Sequence, residues 1–351
     1  MHIGKFPIGP EHRPFIIAEM SGNHNQSLDR ALAIVDAAGK AGAHALKLQT
    51  YTADTMTLAV KEGEFFINDQ TSLWKGNSLH DLYKQAYTPW EWHAPIMDRA
   101  KELGMVCFSS PFDESAVDFL ETLDVPAYKI ASFELIHLPL IRKAAATGKP
   151  LIMSTGMATM AEIDDAVRAA REAGCKDLIL LKCTSNYPAT PENSNVVTVP
   201  HLRQIFGCEI GLSDHTMGVG AAVAAVAHGA TVVEKHFTLA RADGGVDSTF
   251  SLEPHELESL VIETERAWQS LGHVSYGPGA SEQKSLVFRR SIYIAEDLKA
   301  GTVLTAENMR CVRPGLGLPP KYYELLLGRT VNRDVKKGTP MSWDLLGGGQ
   351  Q

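Results

Sequence analysis

The chain has 351 residues, a hydrophobic content of 44% and a formal net charge of −8. The length allows two domains, the apolar content supports a large core, and the negative charge argues against a broad nucleic-acid surface. The sequence contains no run of about 18 apolar residues that would span a membrane, and its first residues lack the apolar core of a signal peptide. Its five cysteines form no Cys-x-x-Cys pair, so we expect buried thiols in a reduced cytoplasm.

From residue 15 to 271, β-like apolar runs alternate with helical runs. The pattern predicts eight strands, at 15–20, 45–51, 106–111, 127–132, 150–156, 178–185, 208–215 and 232–238. Helical runs lie between them, most clearly at 160–173, 217–229 and 254–271, and another begins at a Ser27 cap and ends at Gly42. This alternation favours a TIM barrel over an open doubly wound sheet. Dinucleotide binding has no support, because no Gly-x-Gly-x-x-Gly follows the first strand.

The region between the second and third strands departs from this regular alternation. Residues 88–91 (Thr-Pro-Trp-Glu) predict a helix start with Thr88 as its cap, and Gly104 ends that helix. The polar segment 52–87, which contains Trp74, is too long for an ordinary connection. We therefore predict that it forms a lid or a substrate loop.

Two histidines, His215 and His236, stand at the ends of the last two predicted strands. The interval between them is rich in Ala, Val and Gly, which suits one helix between neighbouring parallel strands. Because strand side chains alternate between faces, Glu234 and His236 should point one way and Lys235 the other. Two imidazoles and a carboxylate at the mouth of a parallel sheet indicate a divalent metal site. The alternative is a pair of core histidines that only form hydrogen bonds, and whether Glu234 is a ligand stays open.

TIM barrels carry their chemistry at the carboxyl ends of the strands. The predicted ends supply, in chain order, Glu19, Asn23, His24, Asn25, Lys47, Gln49, Ser109, Ser110, Phe112, Lys129, Ser132, Glu134, Ser154, Thr155, Lys182, Ser185, Tyr187, Ser213, His215, Glu234 and His236. Three of these, Lys47, Lys129 and Lys182, would be costly inside a barrel without an anionic partner. Either the neighbouring glutamates or an anionic substrate could fill that role, and the serines are natural donors to phosphate or carboxylate oxygens. The pattern predicts a site for a metal and a polyanion.

The pattern of apolar and polar residues changes after residue 271. Residues 272–288, which begin with a Gly-rich stretch, are predicted to form a linker. Residues 289–351 are predicted to form a small, loop-rich domain, because their apolar runs are short and broken by Gly, Pro and Asn. Arg313 lies in a turn there, and on the residues alone a solvated side chain is the simplest interpretation.

Seven motifs together resemble the sialic acid synthase family. They are Phe-Ile-Ile-Ala-Glu-Met at 15–20, Asn-His-Asn at 23–25, Lys-Leu-Gln-Thr at 47–50, Ala-Tyr-Lys-Ile at 127–130, Ser-Thr-Gly at 154–156, Gly-Leu-Ser-Asp-His-Thr at 211–216 and Glu-Lys-His-Phe at 234–237. The resemblance covers nearly the whole chain, and the tail is similar to the family's antifreeze-like SAF domain. Segments 18–27 and 48–57 are most similar to the branch that makes pseudaminic acid. Where neuraminate synthases have glycines, this chain has Ser21 and, near the second glycine, Gln26.

The resemblance implies a TIM barrel followed by a small SAF domain of the β-clip type. It implies the condensation of phosphoenolpyruvate with 2,4-diacetamido-2,4,6-trideoxy-L-altrose, which gives a nine-carbon 2-keto acid and phosphate by C–O cleavage. Synthesis of N-acetylneuraminate or legionaminic acid is the alternative, and a metal-dependent keto-acid aldolase is a more distant one. A tail that binds ice or glycans on an inert barrel is disfavoured, since such a barrel has no reason to keep buried charges.

The resemblance also implies roles for individual residues. It assigns a divalent metal (Mn²⁺, Mg²⁺ or Co²⁺) to His215 and His236. It assigns phosphoenolpyruvate to Lys47, Lys129, Ser132, Ser154, Ser185 and Ser213, and the sugar to Gln49, Tyr187, Asp247 and Phe288. The reaction needs a carboxylate that stabilises a cationic centre and accepts a proton from water, and Glu19 or Glu134 could serve. The family further implies a swapped homodimer, in which Arg313 reaches the sugar bound by the partner subunit.

Overall fold

The computed structural model describes residues 1–70 and 72–347. The chain divides into two units, Met1–Gly272 and His273–Gln351, and each has its own hydrophobic core. Residue 71 of the predicted 52–87 segment and residues 348–351 of the predicted tail domain lie outside the described residues.

The first unit is built on a closed parallel barrel, which a short antiparallel pair, β1 (His2–Ile3) and β2 (Phe6–Pro7), precedes. The barrel strands are β3 (Phe15–Glu19), β4 (Ala45–Thr50), β5 (Val106–Pro111), β6 (Tyr128–Ile130), β7 (Leu151–Ser154), β8 (Leu178–Cys183), β9 (Glu209–Asp214) and β10 (Val232–His236). Neighbours in the barrel follow the order of the chain, and β10 pairs with β3 to close the ring. The predicted TIM barrel is confirmed, and the carboxyl ends of its strands meet at one mouth.

Helices surround this barrel. They are α1 (Leu28–Lys40), α2 (Ala53–Met56), α3 (Leu79–Ala86), α4 (His93–Glu102), α5 (Glu114–Thr122), α6 (Leu138–Ala146), α7 (Met160–Glu172), α8 (Thr198–Phe206), α9 (Gly220–Ala227) and α10 (Pro254–Leu271). The predicted Ser27 cap is confirmed, because its side chain accepts a hydrogen bond from the Arg30 amide. A reciprocal capping box between Thr159 and Glu162 begins α7.

The predicted strands overrun their observed ends by one or two residues everywhere except at β5. Strand β6 shows why. After Ile130 the chain leaves the ladder and enters a 3₁₀ turn at Ser132–Glu134, so residues predicted to end a strand lie instead in the loop above it. The polar residues therefore reach the mouth of the barrel on short loops as well as on strand ends.

The prediction that Thr88 caps a helix is wrong. A 3₁₀ turn at Trp90–Trp92 precedes α4, and neither has a side-chain cap. The buried Thr88 hydroxyl lies 3.1 Å from His24 Nε2, so its hydrogen-bonding capacity is used there. The helix predicted at 217–229 is also shorter than expected, since α9 spans only Gly220–Ala227.

The second unit contains a 3₁₀ helix at Ala280–Phe288, followed by the antiparallel strands β11 (Ser291–Ile294) and β12 (Met309–Val312) and the short helix α11 (Tyr323–Leu326). Its core includes Ile292, Leu304 and Met309. Within the described ranges, none of the helices has both the length and the hydropathy required to cross a bilayer.

Candidate active site

A cavity of about 460 Å³ opens at the carboxyl ends of the barrel strands. Most residues predicted for the site line it: Lys47, Gln49, Lys129, Ser132, Glu134, Ser154, Ser185, Tyr187, Ser213, His215, His236 and Asp247. Glu19 is fully buried and contacts both Lys47 and Gln49. Phe288 and Arg313, which the family resemblance assigns to the sugar, belong to the second unit, where both side chains are exposed.

Two buried lysines face two buried carboxylates at this cavity. Lys47 Nζ lies 2.9 Å from Glu19 Oε2 and 3.4 Å from Glu234 Oε1. Lys129 Nζ lies 3.8 Å from the same Glu234 oxygen. Such a buried cluster is weak evidence for a stabilising role, because the cost of desolvating the charges offsets their attraction. Its position at the cavity indicates a role in binding a charged ligand.

Burial moves the proton equilibria of these groups. It raises the pKa of Glu19 to about 7, although Lys47 opposes the change. It likewise raises the pKa of Glu134 to about 7, against the influence of Lys129. Burial lowers the pKa of Lys129, although the Glu234 carboxylate opposes the change. Two carboxyl groups that exchange protons near neutral pH suit general acid–base chemistry.

Four buried polar atoms around the cavity have no hydrogen-bond partner within the described chain. They are Glu134 Oε2, Ser154 Oγ, Glu234 Oε2 and His236 Nδ1. Buried polar atoms in proteins are nearly always satisfied. Four such atoms beside one cavity therefore indicate a site built for polar ligands.

The two predicted metal ligands lie side by side, with ring centroids 5.3 Å apart. His215 Nδ1 lies 2.9 Å from the Thr184 carbonyl oxygen, so it donates there and Nε2 is left free for a ligand. Burial lowers the pKa of His236 well below its usual value, which keeps the ring neutral, as a metal ligand must be. His236 Nδ1 lies 3.8 Å from Asp247 Oδ2.

This donor set fits a catalytic cation better than a structural one. Across residues 1–70 and 72–347, no group of three or more His, Cys, Asp or Glu side chains has the geometry to hold a metal. A cation beside His215 and His236 would therefore take its remaining ligands from water or substrate, which is how catalytic sites stay open.

A chain of hydrogen bonds joins the histidine side of the cavity to the lysine side. Ser21 Oγ donates to Asp247, and Gln49 Nε2 donates to Ser21 Oγ at 3.1 Å and to Glu19 Oε1 at 2.9 Å. Ser21 has a φ of 48°, in the left-handed region that is unusual for a residue with a side chain. The chain of bonds fixes the orientation of Gln49 and Asp247 at the cavity.

The prediction that Lys182 faces the cavity is wrong. Its Nζ donates to the Cys183 carbonyl oxygen at 3.0 Å and to Thr184 Oγ1 at 2.9 Å, and the side chain is not part of the lining. The cavity is lined instead by Cys183, which the prediction missed. Because strand side chains alternate between faces, the assignment of Ser185 and Tyr187 to the cavity already indicated that Cys183, and not Lys182, shares their face.

The 52–87 segment, which was predicted to be a loop, contains the helices α2 and α3 and supplies much of the cavity wall. Its lining residues are Met56, Ile67, Trp74, Leu79, Leu82, Tyr83 and Ala86. Trp74 Nε1 donates to the Val246 carbonyl oxygen at 2.9 Å, which ties the segment to the loop after β10. Trp74, Leu82 and Val246 also line a second cavity of about 540 Å³.

A closed (β/α)₈ barrel with these groups at its mouth defines a TIM-barrel enzyme. Residues 34–276 match the model of the NeuB family, and residues 289–347 match that of the SAF domain. The chain belongs to the NeuB family.

Several characterised proteins resemble the chain along most of its length. A pseudaminic acid synthase from Campylobacter jejuni is 43% identical over 96% of this chain and 97% of its own length. An N,N'-diacetyllegionaminic acid synthase from Legionella pneumophila is 34% identical over 96% of each chain. The crystal structure of an N-acetylneuraminic acid synthetase from Leptospira borgpetersenii, in complex with citrate, superposes with a TM-score of 0.73 at 33% identity, covering 82% of this chain and 94% of that chain.

Proposed function

We propose that this chain is a pseudaminic acid synthase, which condenses phosphoenolpyruvate with 2,4-diacetamido-2,4,6-trideoxy-L-altrose to give pseudaminic acid and phosphate. Similarity over nearly the whole chain supports this activity over synthesis of N,N'-diacetyllegionaminic acid or N-acetylneuraminic acid, because relatives that carry those names are less similar. The observation that carries the proposal is the buried pair Lys47 and Lys129, which line the same cavity as the Ser154 hydroxyl. That hydroxyl has no hydrogen-bond partner among the described residues, and an anion such as phosphoenolpyruvate would supply one.

In this proposal the two lysines bind the phosphate and carboxylate of phosphoenolpyruvate. Hydroxyl groups from strand ends and from the loops after them add donors to the same oxygens: Ser132, Ser154, Ser185 and Ser213. The sugar lies next to them, in contact with Gln49, Tyr187 and Asp247. The C3 carbon of phosphoenolpyruvate attacks the sugar aldehyde, whose oxygen takes up a proton, and positive charge develops at C2.

A carboxylate then directs water to C2. Either Glu19 or Glu134 stabilises the cationic centre and accepts a proton from the water that adds there. The tetrahedral intermediate collapses to the 2-keto acid, and phosphate leaves with its bridging oxygen. Both carboxyl groups titrate near pH 7, so each can take up and release the proton under ordinary conditions.

We propose that His215 and His236 hold a divalent cation (Mn²⁺, Mg²⁺ or Co²⁺), which when bound polarises the aldehyde. Treatment with EDTA should abolish turnover, and any of these ions should restore it. The Co²⁺ absorption spectrum gives a readout of binding that does not depend on activity. The variants His215→Ala and His236→Ala should fold yet lose that spectrum, and full activity in demonstrably metal-free enzyme would contradict the proposal.

We also propose that the protein acts as a swapped homodimer, in which the tail of one subunit completes the barrel of the other. The exposed Arg313 supports this role, because a guanidinium fork suits the acetamido carbonyls of the sugar. Exchange of an identical element between subunits is a low-cost route to a dimer.

Phosphate release from phosphoenolpyruvate, measured with a panel of amino sugars, tests the assignment. The 2,4-diacetamido-6-deoxy sugar should give a kcat/KM about 10²-fold above that of N-acetylmannosamine, because misfit polar groups in a closed pocket are heavily penalised. Equal or reversed efficiencies would move the assignment to neuraminate synthesis. Cleavage of a keto acid without phosphoenolpyruvate would indicate an aldolase.

A further inference from the structure

Helix α3 turns an apolar face toward the cavity. Leu79, Leu82, Tyr83 and Ala86 follow the i, i+3, i+4, i+7 spacing of one helix face, and all four line the cavity. His80 lies off this face and pairs with Asp54 at 2.8 Å, which connects α3 to α2. The apolar face of a surface helix ordinarily packs on the protein core. Here it borders the space where substrate is proposed to bind.

Two further residues extend this surface. Met56 at the end of α2 and Phe112 just after β5 also line the cavity, and neither has a side-chain group that forms ordinary hydrogen bonds. We call Met56, Leu79, Leu82, Ala86 and Phe112 the apolar wall. Tyr51 supports it, with its ring centroid 5.2 Å from that of Phe112 and 5.8 Å from that of Tyr83.

The order of strands places Phe112 across the mouth from His215. The segment that carries α2 and α3 follows β4, and Phe112 follows β5. In the closed ring, β5 lies four positions from β9, which is the opposite side, whereas β4 lies two positions from β10, which ends at His236. His215 directly follows β9, so a ligand that reaches from His215 across the cavity ends against Phe112 in the apolar wall.

We propose that the apolar wall determines specificity for the deoxygenated end of the sugar. The inference rests on the proposed function, in which the aldehyde carbon lies near His215 and His236. The far end of the open-chain sugar then meets carbon atoms, which suits the C6 methyl group and the methyl of the C4 acetamido group. A hydroxyl group at C6 would lose its water against the five side chains of the apolar wall, none of which forms ordinary hydrogen bonds, so 6-hydroxy aldehydes are disfavoured.

Gln26 is the positioning residue for this surface. Its Nε2 donates to the carbonyl oxygens of Gln85 at 3.1 Å and Tyr87 at 2.7 Å, at the carboxyl end of α3. Gln26 has a φ of 55°, which favours glycine. The chain therefore holds a side chain in a strained conformation, and that side chain fastens the helix that bears the apolar wall.

The test compares two sugars that differ only at C6: the 2,4-diacetamido-2,4,6-trideoxy aldehyde and its 6-hydroxy counterpart. The unmodified enzyme should favour the 6-deoxy sugar by about 10- to 100-fold in kcat/KM. Leu82→Asn should bring that ratio close to one. The matched control, Lys84→Asn, changes an exposed residue of the same helix and should leave the ratio unchanged. Gln26→Gly should also lower the ratio while the Tm stays near that of the unmodified protein, because glycine suits the backbone there.

The outcomes separate the two proposals. If the unmodified enzyme releases no phosphate from phosphoenolpyruvate with any amino sugar, the proposed function fails. If it releases phosphate but does not distinguish the two sugars, or if folded Leu82→Asn keeps the full ratio, the assignment of the apolar wall is overturned. Should Leu82→Asn not fold, an unchanged ratio in Gln26→Gly overturns it.

Discussion

Two buried lysines of the barrel illustrate the difference between a structural charge and a binding charge. Lys235 Nζ donates to Asp214 Oδ2 at 2.8 Å and to the carbonyl oxygens of Thr216 at 2.6 Å and Gly218 at 2.7 Å, which uses all three of its donors. Among the described residues, Lys129 Nζ donates one hydrogen bond, to the Ile130 carbonyl oxygen at 3.2 Å, and lies 3.8 Å from Glu234 Oε1. Lys129 therefore keeps donors for a ligand, whereas Lys235 holds the loop after β9.

Removing the charge of Lys129 tests this distinction. Lys129→Met should lower kcat/KM for phosphoenolpyruvate by about 10²-fold or more, since a charge-assisted contact to the substrate is lost. Its Tm should stay near that of the unmodified protein, because Lys47 Nζ, 3.4 Å from Glu234 Oε1, still pairs with that carboxylate, so no buried charge is left without a partner. Lys182→Met, on strand β8, is the matched control and should keep nearly full activity. Equal losses of kcat/KM in Lys129→Met and Lys182→Met would contradict the assignment of Lys129 to phosphoenolpyruvate.

The raised pKa values of Glu19 and Glu134 predict an acid limit to activity. The carboxylate form is required to accept the proton of water, and the pKa of each group is about 7. Activity is therefore retained above this pH and lost as the pH falls through it, by about tenfold per unit in kcat/KM. Glu134→Gln should lower kcat/KM by about 10²- to 10⁴-fold if Glu134 is the base, and Glu19→Gln should do so if Glu19 is the base. A profile that is flat from pH 5 to 8 would exclude both roles.

At the scale of elements, the alternation of apolar runs was enough to predict the barrel, because buried parallel strands have a strong pattern. Strand ends were less accurate, since the ladder stops where the loops begin, as at Ile130. Helix α3 was not predicted, because the polar segment 52–87 was expected to form a lid or a substrate loop, and only the folded chain shows that one face of this helix lines the cavity. Lys182 was misplaced for a simpler reason, since the alternation through Ser185 already favoured Cys183.

Close packing between β9 and its neighbours depends on Gly211. A Cβ atom there would lie 2.3 Å from the Val232 carbonyl oxygen and 2.6 Å from Leu181 Cδ2. Gly211→Ala should therefore destabilise the fold by about 1–3 kcal/mol or more. Thermal unfolding measures the loss of stability. Gly220→Ala is the control, because that exposed glycine has open space around its Cβ position, so the substitution should be neutral or stabilising. An equal Tm for both variants would show that β9 tolerates the added methyl group.

At the scale of the whole molecule, most site residues could be predicted because a barrel collects its strand ends at one mouth. The same argument does not extend to Phe288 and Arg313, which belong to the second unit, so their roles stay predictions. The part of the cavity that comes from residues 52–87 depends on long-range packing, such as the bond from Trp74 to the Val246 carbonyl, and no local pattern indicates it.

The proposed swapped dimer predicts that two inactive variants can complement each other. Arg313→Ala alone should be severely impaired, and His215→Ala alone should be inactive. When the two variants are coexpressed or refolded together, the mixed dimer combines the intact barrel of the first with the intact tail of the second, so activity should return. If each tail serves its own barrel, every site carries one lesion and activity stays low. A monomer by light scattering, or no recovery in proven heterodimers, would refute the swap.

The central claim is that phosphoenolpyruvate reacts at C2 and loses phosphate by C–O cleavage. The most direct measurement is mass spectrometry of the phosphate released in H₂¹⁸O from phosphoenolpyruvate and the 2,4-diacetamido-6-deoxy sugar. The phosphate is the diagnostic product, because a keto oxygen exchanges with solvent whichever bond breaks. Water that is directed to C2 by Glu19 or Glu134 leaves the phosphate unlabelled, and this is the predicted result. Phosphate that carries ¹⁸O would mean attack at phosphorus and would contradict the account.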